Sequence, residues 1–524
     1  IGRRDGQGPK RIDVNVFEAA MRLSEISPMW FAENGIVPGR RGIDRFFPTF
    51  PGNCWRASDG WVGVTTLTPQ QWRAFCDICD ANEIAQDPAF ATTELRIDAA
   101  EQLTEIFAPK IIKKSVDFWV TQGQASKVPV VAVQRPGTLP KDPHWKARDS
   151  FANSDGLKTP RNPFRLIQGQ VGRTEALVPT TQKPLSGLQV MDLSMGWSGP
   201  LATRHLGALG ADIIKIEGKS HPDWWRGWND NYNNESDFER RRGFAGMNTN
   251  KRDVLLDLRD PADIELAKKM AQSSDILIEN QATGVCEKFG LGHEKLQQIA
   301  PGIVSVSMAL FGAYGPNASF RGYGSTTEQA SGLPFVNGHE NWPPAQCHFA
   351  LGDAVAGLFA AFAALAGVWG RRKYGGVYCD LSQVEVLFQI SAPAIVFEQV
   401  TGQPVPRDKI SRKSSEFTWI GRCVGDDEWL LIDCLTEGQK KSLSKILNDP
   451  IDLDASLSDW ALQKTSQAAA ALLQLHAVPA APVQPQHLLD RDPHLLQTGF
   501  WALVDHPFIG DHLITCPPYF LDGC

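Results

Sequence analysis

Two short segments hold the residue types from which a covalent acyl-transfer site could be built. The first is FALGDAVAGLFAAFAALAG, in which Asp353 is the one carboxylate among Gly, Ala and Val. As a simple helix cap, Asp353 would accept hydrogen bonds from the amides of the next turn. As a nucleophile, it would be kept ionised by the positive end of that helix, and its small neighbours would leave room for a bulky acyl partner. A carboxylate attacks an acyl carbonyl well only when the leaving group is good, which a thioester supplies. The second segment is Met195-Gly196-Trp197-Ser198-Gly199-Pro200, directly after LQVMDLS. A tight Gly turn from strand into helix faces backbone N–H groups and a helix dipole toward an anion. Glu217 ends the next strand about twenty residues on, where dinucleotide-binding domains place a carboxylate against a ribose. The pattern is GxxGP rather than GxGxxG, and Pro200 removes one N–H. Nucleotide-type binding and a purely structural turn therefore both fit the spacing, and a nicotinamide cofactor is poorly supported.

Other groups could hold an anionic ligand or simply be solvated. Lys251 and Arg252 precede a strand, and Lys215, Arg226 and Arg204 lie near the first turn. Trp224, Trp225 and Trp228 fall within five residues, as an aromatic wall for a substrate or as core packing. The lone CxxC, Cys76 to Cys79, has no second pair, so no metal site is expected. No GxSxG elbow, P-loop or HExxH occurs, which leaves hydrolase, NTPase and metalloprotease chemistry without support.

These residues must be positioned by something. From Pro184 onward, apolar strands (LQVMDLS, ADIIKIE, DVLLDL, DILIEN, GIVSVSMALFG) alternate with helical stretches, including PADIELAKKMAQSS and GVCEKFGLGHEKLQQIA. That alternation predicts an open α/β domain on a parallel sheet. A smaller α+β domain follows at 410–500, with strand-like WIGRCV and EWLLIDCL. It is written twice. Val128 to Trp145 matches Val478 to Leu495 without a gap, including Val-Pro, Val-Gln and Asp-Pro-His. Asp59-Gly60-Trp61-Val62 answers Asp427-Glu428-Trp429-Leu430, Pro163-Phe164-Arg165-Leu166 answers Pro518-Tyr519-Phe520-Leu521, and the segment from Arg3 answers that from Arg371. A period of about 350 residues means a duplicated module rather than a solenoid.

The expected organisation is the end of a first large domain (1–50), its small domain (51–157), a linker (158–183), a second large domain (184–400), a second small domain (410–500) and a return segment (501–524). The first copy lacks the catalytic half present in the second, so the chain is expected to be truncated at its start, and also at its end. With 524 residues, 42% of them hydrophobic, it can bury a large core. A net charge of −7 gives no general attraction to nucleic acid or to anionic membranes. The start lacks a signal peptide, and the apolar run Leu358 to Gly370 reads as too short to span a bilayer, so a cytoplasmic protein is expected.

Taken together, PLSGLQVMDLSMGWSGPLATRHLGALGADIIKIEG, NTNKRDVLLDL, DILIENQATGVCEKFGLG, IVSVSMALFGAYGP and ALGDAVAGLFAAFAAL resemble, in order and spacing, the family III (CaiB/BaiF-like) CoA-transferases. The resemblance implies a Rossmann-like large domain and an α+β small domain, with modules pairing as a pseudo-dimer; homo-oligomers are compatible with it. It implies Asp353 as nucleophile, passing through a mixed anhydride and an aspartyl-CoA thioester. It places Gly196, Trp197 and Ser198 at the pantetheine and thioester, and Lys215 to Glu217 with Ile278 to Asn280 along the adenine end. Acyl-CoA and a small carboxylate are the implied substrates, with no tightly bound cofactor. The chain departs from the family at Gln281-Ala282-Thr283-Gly284, which lacks the usual Arg, and at Arg321-Gly322-Tyr323-Gly324-Ser325 in place of RPGYD. The absence of His there argues against an α-methylacyl-CoA racemase. A non-catalytic CoA-binding module is the rival from another class. The fused modules resemble the dimethylsulfoniopropionate CoA-transferase/lyase layout, and Trp224 and Trp225 would suit its onium substrate.

Overall fold

The structure is a computed structural model that describes residues 11–25, 40, 42–45, 49–168, 183–218, 222–226, 238–347, 349–407 and 415–521. Trp228, the Arg3 start of the repeat and residues 169–182 of the expected linker lie outside them. The chain forms two compact units, one of residues 1–405 with 497–524, the other of residues 406–496.

In the first unit, β1 (Ile12–Val14) leads into a helix, Val16–Leu23, capped by the Asn15 side chain. β2 (Gly52–Arg56), β3 (Trp61–Thr65) and β4 (Val130–Ala132) make an antiparallel sheet in that order. Helices Pro69–Ile78, Ala100–Ile111 and Val116–Ala125 pack on it around Trp55, Trp72, Phe75 and Phe107. β5 (Phe151–Ser154) and β6 (Leu157–Pro160) pair as a hairpin. The expected linker is therefore partly ordered structure. It holds β6 and β7 (Phe164–Gln168), and β7 satisfies its backbone groups by joining a large sheet.

That sheet adds β8 (Gln189–Asp192), β9 (Asp212–Glu217), β10 (Lys251–Leu255), β11 (Ile276–Glu279), β12 (Val304–Ser307) and β13 (Val377–Leu381). Its order is β10-β9-β8-β11-β12-β13-β7, with the first six parallel and β7 antiparallel at one edge. Numbered from β8, the six parallel strands follow the doubly wound order 3-2-1-4-5-6, whose switch point lies between β8 and β11. Both faces are buried, as a parallel sheet requires. Val190, Ile276, Ile278, Val304 and Val306 face helices Ser198–Ala208 and Leu351–Tyr374. Met191, Ile216 and Leu277 face Pro261–Ser273 and His293–Ile299.

Three local readings change. The expected helix from Gly284 to Ala300 is two, Val285–Lys288 and His293–Ile299, separated at Gly290, whose φ of +68° suits glycine. Lys251 and Arg252 start β10 rather than precede it. The apolar run from Leu358 belongs to a 24-residue helix, so Leu351–Arg371, like Gln383–Thr401, is long and apolar enough to cross a bilayer. Of its most apolar window, 67% is buried inside the protein, much of it against the sheet.

The second unit repeats the first copy's small sheet. β14 (Phe417–Arg422), β15 (Trp429–Cys434) and β16 (Ala480–Pro482) lie in the same antiparallel order, around Leu430, Ile432, Leu443 and Leu473. Val62 pairs with Ala132, and Leu430 with Pro482, which are the positions the sequence repeat equates. Beyond this unit, β17 (Trp501–His506) and β18 (Gly510–Thr515) form a hairpin, and β19 (Tyr519–Leu521) pairs with β1. The exchange is crossed: β7 of the first copy completes the sheet of the second, and β19 of the second pairs with β1 of the first. Leu381 lies opposite Phe164, and Val14 opposite Tyr519, so Val14 answers Leu381. Aligning Arg3 with Arg371 sets Val14 against Ser382 instead. The strand pairing corrects that alignment by one residue, bringing the helix caps Asn15 and Ser382 into register.

Candidate active site

The Gly196 turn leaves β8 at the switch point and is pinned by two buried ion pairs. Lys251 Nζ lies 3.0 Å from Asp192 Oδ2 and also donates to the Pro200 carbonyl. Asp192 accepts from the Ser194 amide at 2.9 Å and the Thr203 hydroxyl at 2.6 Å. Burial opposes its charge, but Lys251 and Lys215 hold its carboxyl at about 2. Lys215 Nζ donates to the Ser194 carbonyl at 2.7 Å and pairs with Asp223 at 3.0 Å, while Asp223 accepts the Gly196 amide. Gly196 has φ +77°, and the Trp224 indole lies where a side chain on it would begin. No other residue fits that turn without strain.

Asp353 sits where three helices start. It lies in the first turn of Leu351–Tyr374, and its carboxylate accepts from the Ser198 hydroxyl and amide and from the Gly324 amide. Ser198 opens helix Ser198–Ala208, and Gly324 opens helix Gly324–Ala330. The residue before the 351–374 helix is Ala350, so Asp353 lies inside the helix rather than capping it. Close approach depends on glycine. A Cβ on Gly357 would come within 2.6 Å of the Ser198 carbonyl, and one on Gly324 or Gly352 would overlap Asp353 Oδ2 or Thr327 Oγ1. Asn280 fixes Ser198 by donating to its Oγ at 3.3 Å and to the Met195 carbonyl at 2.8 Å. Burial pushes the Asp353 carboxyl up to about 7 against these hydrogen bonds. Burial thus opposes the charged form that the helix dipole was expected to favour.

Two cavities meet at Met195 and Gln281, at the carboxyl ends of β8 and β11. One, of about 420 Å³, is lined by Lys215, Glu217, Leu256, Arg259 and Phe289. The other, of about 200 Å³, holds Asp353, Ser198, Trp197, Trp224 and Asn280, together with Thr65 and Leu67 from the first copy. Thr65 Oγ1 and Ser325 Oγ are 2.9 Å apart, and Gln71 Nε2 donates to Tyr323 Oη at 2.9 Å. A crevice beside the carboxyl ends of parallel strands at a switch point is where open α/β sheets bind nucleotides.

The sequence model of CoA-transferase family III matches residues 2–182 and again 185–523. The chain belongs to CoA-transferase family III. It is 26% identical over 560 residues to a probable CoA-transferase of Mycobacterium tuberculosis, spanning 95% of this chain and 69% of that one. It is 27% identical to human succinyl-CoA:glutarate CoA-transferase over 63% of this chain and 78% of the relative. A CAIB/BAIF family protein of Brucella suis superposes with a TM-score of 0.58 at 25% identity, covering 64% of this chain and 93% of that one.

Within this family III fold, the residues expected at a CoA site separate into groups. Gly196, Trp197, Ser198, Asn280, Trp224 and Asp353 converge on one stretch of the crevice. Asn280 thus lies beside Asp353, not at the far end. Lys215 and Glu217 line the larger cavity but are already engaged. Burial works against Glu217, yet a hydrogen bond with Asp253 and the Arg226 guanidinium at 2.7 Å hold its carboxyl below the usual range. Four others lie elsewhere. Ile278 is buried in the sheet core, Lys251 is held by Asp192, and Arg252 is exposed and pairs with Asp212. Trp225 packs with Trp197 and Met247 in a core cluster, because its ring covers Gly243. Sequence reading missed Thr65 and Leu67, since nothing local marks the end of β3 and the residues after it as part of a second-copy site. It also missed the role of Gly324, whose signal was a second glycine beside Tyr323 in the segment that departs from RPGYD.

Proposed function

We propose that the chain is a CoA-transferase in which Asp353 is the nucleophile. The observation that carries this reading is a desolvated carboxylate set against the Ser198 and Gly324 amides, at the inner end of a nucleotide-type crevice. Asp353 Oδ attacks the donor thioester carbonyl, a C–O bond forms, the C–S bond breaks and CoA thiolate leaves a mixed anhydride. The thiolate then attacks the Asp353 carbonyl carbon, releasing the donor carboxylate and leaving an aspartyl-CoA thioester. The acceptor carboxylate reverses both steps and departs as its own CoA thioester. Amides that hold the carboxylate also face the Asp353 oxygen that gains charge when the thiolate attacks the Asp353 carbonyl carbon. The larger cavity, with Arg259 on its wall, is the place for the nucleotide end of CoA. Asp353→Ala is expected to abolish transfer from acetyl-CoA to carboxylates while CoA still binds; retained turnover overturns the reading.

The modules are proposed to act as a pseudo-dimer within one chain, supported by the crossed strand exchange and by Thr65 and Leu67 in the second copy's cavity. A second reading, of the dimethylsulfoniopropionate CoA-transferase/lyase type, is favoured by the Trp224 ring among the residues lining the cavity, since aromatic rings attract onium groups. Release of dimethyl sulfide from dimethylsulfoniopropionate and acetyl-CoA tests it; CoA transfer without that release removes the lyase step.

A further inference from the structure

We infer that the acyl group handled at Asp353 is that of a short monocarboxylate whose far end bears no negative charge. This rests on the transferase reading above. The cavity of about 200 Å³ is walled by Leu67, Met195, Trp197, Trp224, Leu310 and Ala350. Among the described residues that line it there is no Lys, Arg or His, and Asp353 is the sole carboxylate. Arg321 precedes the lining residue Gly322, but it is exposed and stands outside the lining.

The neutral polar groups on the walls are already held by the protein. Thr65 and Ser325 hydrogen-bond to each other. Gln281 Nε2 donates to the Leu193 carbonyl at 3.0 Å, and Gln383 Nε2 to the Met308 carbonyl at 2.7 Å. Both Asn280 amide hydrogens go to Met195 and Ser198. Tyr323 Oη accepts from Gln71 and keeps its own proton to donate, and the buried Trp197 indole N–H has no acceptor in the protein. The Tyr323 hydroxyl is thus a neutral donor on the wall, suited to the one carboxylate or thioester carbonyl that reacts. A second carboxylate would leave water with no cation among the described lining residues to meet it, and would face Asp353 as a like charge.

The test is the rate at which hydroxylamine converts the activated Asp353 carbonyl of the full chain into its hydroxamate, with the donor carboxylate or CoA thiolate leaving, read by mass spectrometry, using propanoyl-, butanoyl-, succinyl- and glutaryl-CoA. The neutral-tailed thioesters are expected to label Asp353 at least about 100-fold faster than the two with a terminal carboxylate. Leu67→Arg is expected to narrow that gap at least about tenfold by supplying a cation, whereas Leu67→Gln leaves it; Leu310→Lys is the second variant should Leu67→Arg not fold. Labelling by succinyl- or glutaryl-CoA within tenfold of butanoyl-CoA overturns the inference and leaves the transferase reading standing. No adduct at Asp353 with any of the four overturns both.

Discussion

The Asp353 carboxylate occupies the space in which a side chain on Gly324 would begin. Gly324 has ordinary backbone angles, so glycine is needed here for room and not for conformation. Gly324→Ala should therefore fold, because the methyl group can be accommodated by turning one carboxylate aside. The turn breaks the hydrogen bond from the Gly324 amide and misplaces the nucleophile. A loss of about 100-fold or more in kcat/KM is expected, with a melting temperature within a few degrees of the parent. Steady-state kinetics and calorimetry on the same preparation check this; full activity in Gly324→Ala removes the proposed geometry.

The rate should depend on pH through the same carboxylate. Burial raises Asp353 to about 7, and only the ionised form attacks. Hence kcat/KM is expected to rise about tenfold per pH unit below 7 and to level off above it. Ser198→Ala removes a hydroxyl that stabilises the charged form, so the midpoint should move to higher pH. A midpoint near pH 4, or one that does not respond to Ser198→Ala, would assign the titration to another group.

The alternation of LQVMDLS, ADIIKIE and DILIEN made the doubly wound sheet readable, because both faces of each strand are apolar and a helix-length segment separates them. Asp353 and the Gly196 turn were readable for a related reason, since glycine and alanine runs mark places where backbones approach closely. The charged residues were not. Lys215, Lys251 and Glu217 look like ligand-binding groups in sequence, and each proves to be held by an opposite charge, Lys251 by the distant Asp192, Lys215 by Asp223 and Glu217 by Arg226. Nor could a sequence show that β7 would leave its own copy for the sheet of the other. Strand exchange is decided by tertiary pairing, and the residues of Phe164–Gln168 carry the same pattern in either place.

Arg148 should be the costliest single residue to lose from that exchange. Its guanidinium lies 2.9 Å from Asp380 and 2.8 Å from Glu385, all three are buried, and it links a first-copy segment to the second-copy sheet. Arg148→Met leaves Asp380 without this cation and Glu385 with Arg165 alone, 2.6 Å away. Uncompensated buried charge of this kind costs about 3–5 kcal/mol. Urea denaturation should show that loss, and the double variant with Glu385→Gln should recover part of it. A loss below about 1 kcal/mol would mean that the carboxylates reach water.

Glu328 should make the protein less stable as pH rises. It is fully buried, its carboxylate accepts the Cys347 amide, and burial lifts its carboxyl from 4.5 to about 8, with the Asp44 charge adding to the rise. A group whose folded value lies above its unfolded value holds a proton that the unfolded chain releases. Its contribution to stability is complete below pH 4.5 and is lost as pH rises through 8. Asp44, raised from 3.8 to about 6, acts in the same direction over a lower window. Glu328→Gln keeps the shape and an acceptor for Cys347 but cannot ionise. It should match or exceed the parent in melting temperature at pH 9 and flatten the decline between pH 5 and pH 9. Calorimetry across that range decides it, and an unchanged slope in Glu328→Gln would mean that the Glu328 carboxylate is already ionised in the folded protein at pH 5.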